Sequence, residues 1–85
     1  MPAPDPVDDL LAQAVRLPEP AVRARLRQAA SLTQAEVAAA VGVHRIQVVR
    51  WESGQAEPRN PQRRAYGRLL ERIATRHPDV LETTS

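Results

Sequence analysis

The tightest constraint on this chain lies in Leu32–Gly54, LTQAEVAAAVGVHRIQVVRWESG. Two short helical patterns flank Gly42-Val43-His44, so the backbone must turn sharply within three residues. Thr33-Gln34-Ala35-Glu36 has the form of a capping box, in which the Thr33 hydroxyl accepts from the Glu36 amide and Glu36 reaches back. This start predicts a helix over Gln34–Val41 with Val37, Ala38 and Val41 inward. Gly42 follows, where a left-handed residue closes a helix without a Cβ clash. A second helix is expected from about His44 to Ser53, stopped by Gly54. A turn this short sets its two helices nearly perpendicular. Ala38 must then be small where they touch, and Val48 and Trp51 must point back into the core.

The rest of the chain also reads as helix. Met1–Pro6 alternates proline with small or acidic residues and is expected to be extended or disordered. Val7, Leu10, Leu11, Ala14 and Val15 share one helical face, which predicts a helix over Val7–Leu17 ended by Pro18. Pro20 suits the first position of a helix running to about Ala30, with Val22, Leu26, Ala29 and Ala30 as its apolar stripe. Gln55–Asn60 reads as a loop. Pro61 opens a last helix to about Arg76, striped by Ala65, Tyr66, Leu69, Leu70, Ile73 and Ala74. Asp79–Ser85 is expected to fray. The expected architecture is all-α: five short helices, with a Pro-rich acidic segment at 1–19, the main domain at 20–77 and a flexible tail at 78–85.

At 85 residues the chain has room for one small domain, able to bury roughly 60–65% of its unfolded surface. Trp51 and Tyr66 are its only aromatic residues, so the core must come from Val, Leu, Ile and Ala. Cysteine is absent, which excludes disulfides, thiol nucleophiles and Cys-ligated zinc, and fits a reducing, cytoplasmic compartment. No apolar run is long enough to span a bilayer, and the N-terminus lacks the features of a signal peptide. No membrane partner is expected. The formal charge of +2 hides an asymmetry: residues 21–77 carry eleven arginines against four glutamates, a surplus of seven, between acidic ends. Such a block suggests a polyanionic partner, although an arginine-rich solvated surface has the same composition.

A helical wheel divides the helix after the turn into two faces. Val48, Trp51 and Glu52 face inward, with His44 at the edge. Ile46, Val49, Arg50 and Ser53 face outward, and Arg45 projects from the N-terminal end. Arginine donates bidentately to guanine O6 and N7, and aliphatic groups contact the thymine methyl. An outward Ile46 and Val49 on a solvated helix call for contact with either a DNA groove or a partner chain. Trp51 reads as core, and Tyr66 as the edge of the core, its hydroxyl meeting water or a phosphate. Arg63, Arg64, Arg68 and Arg72 form either a backbone-contact patch or a solvated face. His44 and His77 lack the spacing and companions of a metal site. There is no Gly-rich phosphate loop and no converging catalytic pair. Neither a catalytic site, nor a metal, nor a cofactor is expected, and the chain does not read as an enzyme.

The pattern Leu32-Thr33-Gln34, Glu36, Ala38, Gly42-Val43, Val48, Trp51-Glu52, Gly54 and Pro58 resembles the lambda-repressor-like helix-turn-helix family of Cro or XRE type. The likeness runs from about Ala21 to Ile73. It implies that Arg45, Ile46, Val49 and Arg50 face base edges of double-stranded DNA. It also implies that Gln34, Gln47, Arg59 and Arg63 contact the backbone, and that Arg27 and Glu52 form a structural ion pair. His44 stands where the family usually has Ser or Thr, and in place of that cap it either donates to a phosphate or is merely solvated. The helix Val7–Leu17 is extra to the family core, either packing on the domain or serving as a dimer contact. The function implied is a transcriptional regulator, a repressor acting as a homodimer on a pseudo-palindromic operator at the nucleoid. A second reading is an antitoxin that binds a toxin partner and regulates its own expression. A third is an architectural or replication factor with little sequence preference. No second domain is expected to hold a sensing pocket.

Overall fold

The computed structural model describes Pro6, Val7 and residues 16–82, and the described residues contain helices and no strand. The helices from Pro20 onward are α1 (Pro20–Ala29), α2 (Gln34–Val41), α3 (Arg45–Ser53), α4 (Gln62–Arg76) and α5 (Pro78–Glu82). Most of the expected helix Val7–Leu17 lies outside the described residues. Arg16 and Leu17 are described and are not helical. Pro18 and the following Pro20 explain this, because the residue before a proline is pushed out of the helical region. Leu17 instead packs against the core.

Each helix end has a local cause. Pro20 stands in the first turn of α1, where its missing N–H costs nothing. At the other end Ser31 adopts φ +59°. Its amide donates to Gln28 O at 2.9 Å and the Leu32 amide to Arg27 O at 3.1 Å, the paired bonds of a Schellman closure. Thr33 and Glu36 make the full capping box at α2: Glu36 N donates to Thr33 Oγ1 at 3.0 Å and Thr33 N to Glu36 Oε1 at 2.9 Å. The bonds from Thr33 hold the Glu36 carboxyl below its ordinary pKa. Gly42, at φ +85°, closes α2, and its amide and that of Val43 both converge on Ala38 O. His44 is the N-cap of α3 rather than its first residue, with extended backbone and no side-chain cap bond. Gly54 closes α3 at φ +80°.

The core gathers one face of every helix. Val22 and Leu26 from α1, Val37 and Ala38 from α2, Val48 and Trp51 from α3, and Tyr66, Leu70 and Ile73 from α4 are all buried. Burial of these side chains is the main favourable term holding the short helices, none of which is long enough to persist alone. Two expectations are corrected. Tyr66 is at the centre of the core, 1% exposed, so its hydroxyl cannot reach a phosphate. Residues Pro78–Glu82 form α5 where a frayed tail was expected. Pro78 starts the turn, Asp79 favours its N-terminal end, and Val80 inserts into the core beside α1 and α4.

Candidate nucleic-acid interface

Helix α3 is anchored by one face and displayed by the other. Val48 is 0% and Trp51 4% exposed, and Trp51 packs on Tyr66 with ring centroids 4.8 Å apart. These two anchors fix the rotation of the helix about its axis. Rotation in turn puts Arg45, Ile46 and Arg50 on the open side, all exposed, with Val49 half-buried at their margin. Ile46 stands 47% exposed, a cost in apolar surface that folding does not repay. His44 is exposed at the N-terminal end of the same helix. At 1.5 Å rise per residue, Arg45 and Arg50 lie ~7.5 Å apart along the axis.

An ion-pair network locks α3 to the two preceding helices. Arg27 Nε donates to Glu52 Oε2 at 2.7 Å and Nη2 to Glu52 Oε1 at 3.0 Å, a bidentate pair. The two side chains are 15% and 7% exposed. The hydrogen bond to Glu52 makes Arg27 hold its proton still more firmly than usual. Arg27 Nη1 also donates to Leu32 O at 2.9 Å. Gln34 extends the network, its Nε2 donating to Glu52 Oε1 at 3.1 Å and its Oε1 accepting from Arg45 Nη1 at 3.5 Å. Gln34 therefore has its side-chain amide turned to Glu52 and Arg45, with one N–H of Nε2 engaged by the carboxylate.

Beside α3 an open cleft runs between the helix and the loop after it, lined by Gln47, Trp51, Glu57, Pro58, Arg59 and Gln62 among others. Gln47 is half-buried in it and Arg59 is exposed. Arg63 is placed otherwise than expected. Its side chain is 16% exposed, with Nη1 donating to Pro58 O at 3.3 Å and standing 3.5 Å from Glu57 Oε2. It braces the loop instead of projecting from it. Arg64, Arg68 and Arg72 are exposed.

Arg23 is the residue that sequence reasoning passed over. It is 3% exposed, a buried charge beside α3. Its Nε donates to Pro18 O at 2.7 Å, Nη1 to Trp51 O at 3.0 Å, and Nη2 to both Glu57 oxygens at 3.0 and 2.9 Å. The guanidinium thus meets one of the last carbonyls of α3, where a cation is favoured. A signal existed: Arg23 and Arg27 stand four residues apart along one edge of the α1 apolar stripe, where a solvated arginine is out of place. Among the described residues no group of His, Asp or Glu could hold a metal, and no helix is long and apolar enough to cross a membrane.

An all-helical unit whose second and third helices are joined by a glycine turn, with a locked third helix displaying arginines, is the architecture of a DNA-binding helix-turn-helix domain. The family model described as helix-turn-helix matches residues 24–61, somewhat under half of the chain. Over these residues the chain is similar to the lambda-repressor-like, Cro-type helix-turn-helix family of DNA-binding transcriptional regulators. No curated protein and no solved structure matches the chain significantly.

Proposed function

We propose that the protein is a sequence-specific repressor that binds a pseudo-palindromic operator as a homodimer, at the nucleoid in the cytoplasm. One observation carries this reading: α3 is locked by Val48 and Trp51 in the rotation that exposes Arg45, Ile46 and Arg50 together. In a major groove the two arginines address guanines, and Ile46 with Val49 meets thymine methyls. His44, Gln47 and Arg59 border this face and take the phosphates. A protein seated in this way occludes polymerase through its DNA contact alone.

The test begins with selection of bound duplexes from a random pool, which yields the operator. Arg45→Ala and Arg50→Ala then each lose about 1–3 kcal/mol of discrimination, or roughly 5- to 150-fold in operator affinity, at one base position per half-site. Affinity for random duplex changes much less. Equal losses on operator and random DNA for both variants would reject base reading by this face, and failure of the pool to converge would reject sequence specificity altogether.

A further inference from the structure

Glu57 is an awkward residue for a surface that meets a polyanion. Its side chain is 54% exposed on the rim of the cleft that Arg59 shares, and a carboxylate there repels phosphate. Yet the structure invests heavily in it. Arg23 grips both of its oxygens, and Arg63 Nη1 stands 3.5 Å from Oε2. The remaining donors of Arg23 reach Pro18 O and Trp51 O. One buried guanidinium therefore joins three segments: the chain before α1, the end of α3 and the loop that holds Glu57.

The loop is held from its other side as well. Arg63 Nη1 donates to Pro58 O at 3.3 Å, and the Arg63 amide donates to Arg59 O at 2.8 Å. Pro58 is buried. The backbone is pinned at Pro58 and at Arg59 itself, while the Arg59 side chain remains exposed. We propose that Glu57 is a positioning residue for a phosphate contact by Arg59, clamped between Arg23 and Arg63 so that the loop presents Arg59 beside α3 before DNA arrives. This inference rests on the reading of Arg59 as a phosphate ligand. Its physical content is preorganisation: a loop already ordered loses less freedom when it binds. The two flanking guanidinium groups also offset the charge of the carboxylate that organises them.

Charge and positioning predict opposite signs for Glu57→Gln. If Glu57 were only a negative charge near DNA, its removal would tighten binding. As a positioning residue its loss weakens binding, by about 3- to 10-fold on operator and random duplex alike. Glu57 is exposed enough for the variant to fold, which circular dichroism and thermal melting verify. The experiment measures affinity for random duplex across a salt series for wild type, Glu57→Gln, Arg59→Ala and the double variant. Arg59→Ala flattens the log–log salt slope by about 0.9 per bound chain. On that background Glu57→Gln causes no further weakening, because the contact it serves is already gone. Unchanged or tighter binding by Glu57→Gln alone overturns the inference and leaves the Arg59 reading standing. Losses that multiply in the double variant overturn it too, since Glu57 then acts elsewhere. An Arg59→Ala variant with unaltered affinity and slope overturns both.

Discussion

Tyr66 is the residue on which folding and titration are most directly coupled. Its hydroxyl oxygen is buried and makes no hydrogen bond to the described residues. Burial pushes the phenol pKa up, with the Glu52 charge adding to the rise and Arg23 and Arg27 opposing it. A raised folded pKa means that the folded state favours the proton. The stability is fully present below the unfolded value of about 10 and declines as pH climbs above it. Tyr66 is the only tyrosine, so phenolate absorbance reports on it alone. The expected titration shows no phenolate until the helical signal falls; ionisation near pH 10 with helix intact would contradict it. Tyr66→Phe removes the unpartnered hydroxyl. The variant is expected to match or exceed wild type by about 1 kcal/mol and to lose the alkaline sensitivity that Tyr66 confers. Glu52 behaves oppositely. Glu52→Ala strands Arg27 with only the Leu32 carbonyl, and costs about 3 kcal/mol in chemical denaturation. Unchanged stability would show that the bidentate pair is worth nothing in solution.

At the scale of the element, helix ends explain more than helix interiors do. Ser31 and Gly42 both sit in the left-handed region and close successive helices, yet only one is glycine. An ordinary residue there costs roughly 1–2 kcal/mol against the relaxed backbone, less what glycine loses in unfolded-chain entropy. Ser31→Gly is therefore expected to raise stability by about 0.5–1 kcal/mol, read from the denaturation midpoint. Gly42→Ala lowers it by about 1 kcal/mol, and through the backbone alone, since no atom lies within 4 Å of an added Cβ. A Ser31→Gly variant that melts lower would mean that the Ser31 side chain contributes a contact outweighing its backbone strain. The Thr33–Glu36 box and the Gly42 stop were legible because capping is local chemistry. Ser31 was legible only as lying past the end of the helix that runs to about Ala30, because nothing in its type announces a positive φ.

For the whole molecule, the proposed operator recognition requires a domain this small to reach useful specificity. One recognition helix spans only about four or five base pairs, so two copies on half-sites ~34 Å apart are expected. Hydroxyl-radical footprints on a selected operator should show two-fold symmetric protection at that spacing, and binding should steepen with protein concentration. A single unpaired protected patch, with a one-to-one complex by light scattering, would exclude the dimer. Charge distribution supports the polyanion partner at this scale too: Arg45, Arg50, Arg59, Arg64, Arg68 and Arg72 are exposed. Binding is accordingly expected to weaken steeply as salt rises.

Periodicity and turn chemistry, which act within a few residues, were enough to determine the helical class, the cap at Thr33, the turn at Gly42 and the inward phase of Val48 and Trp51. The same phase told which side of α3 would be open. The family likeness supplied the pairing of Arg27 with Glu52 across twenty-five positions. Only the tertiary structure decided which arginines are surface and which are framework. Arg23, Arg59 and Arg63 are chemically identical, yet Arg23 is buried under Glu57 and the Trp51 carbonyl, Arg63 braces the loop, and Arg59 alone of the three stays exposed. Likewise α5 exists because Val80 finds a place against α1 and α4. A charged or terminal residue is placed by partners distant in sequence, and those partners meet only when the chain has folded.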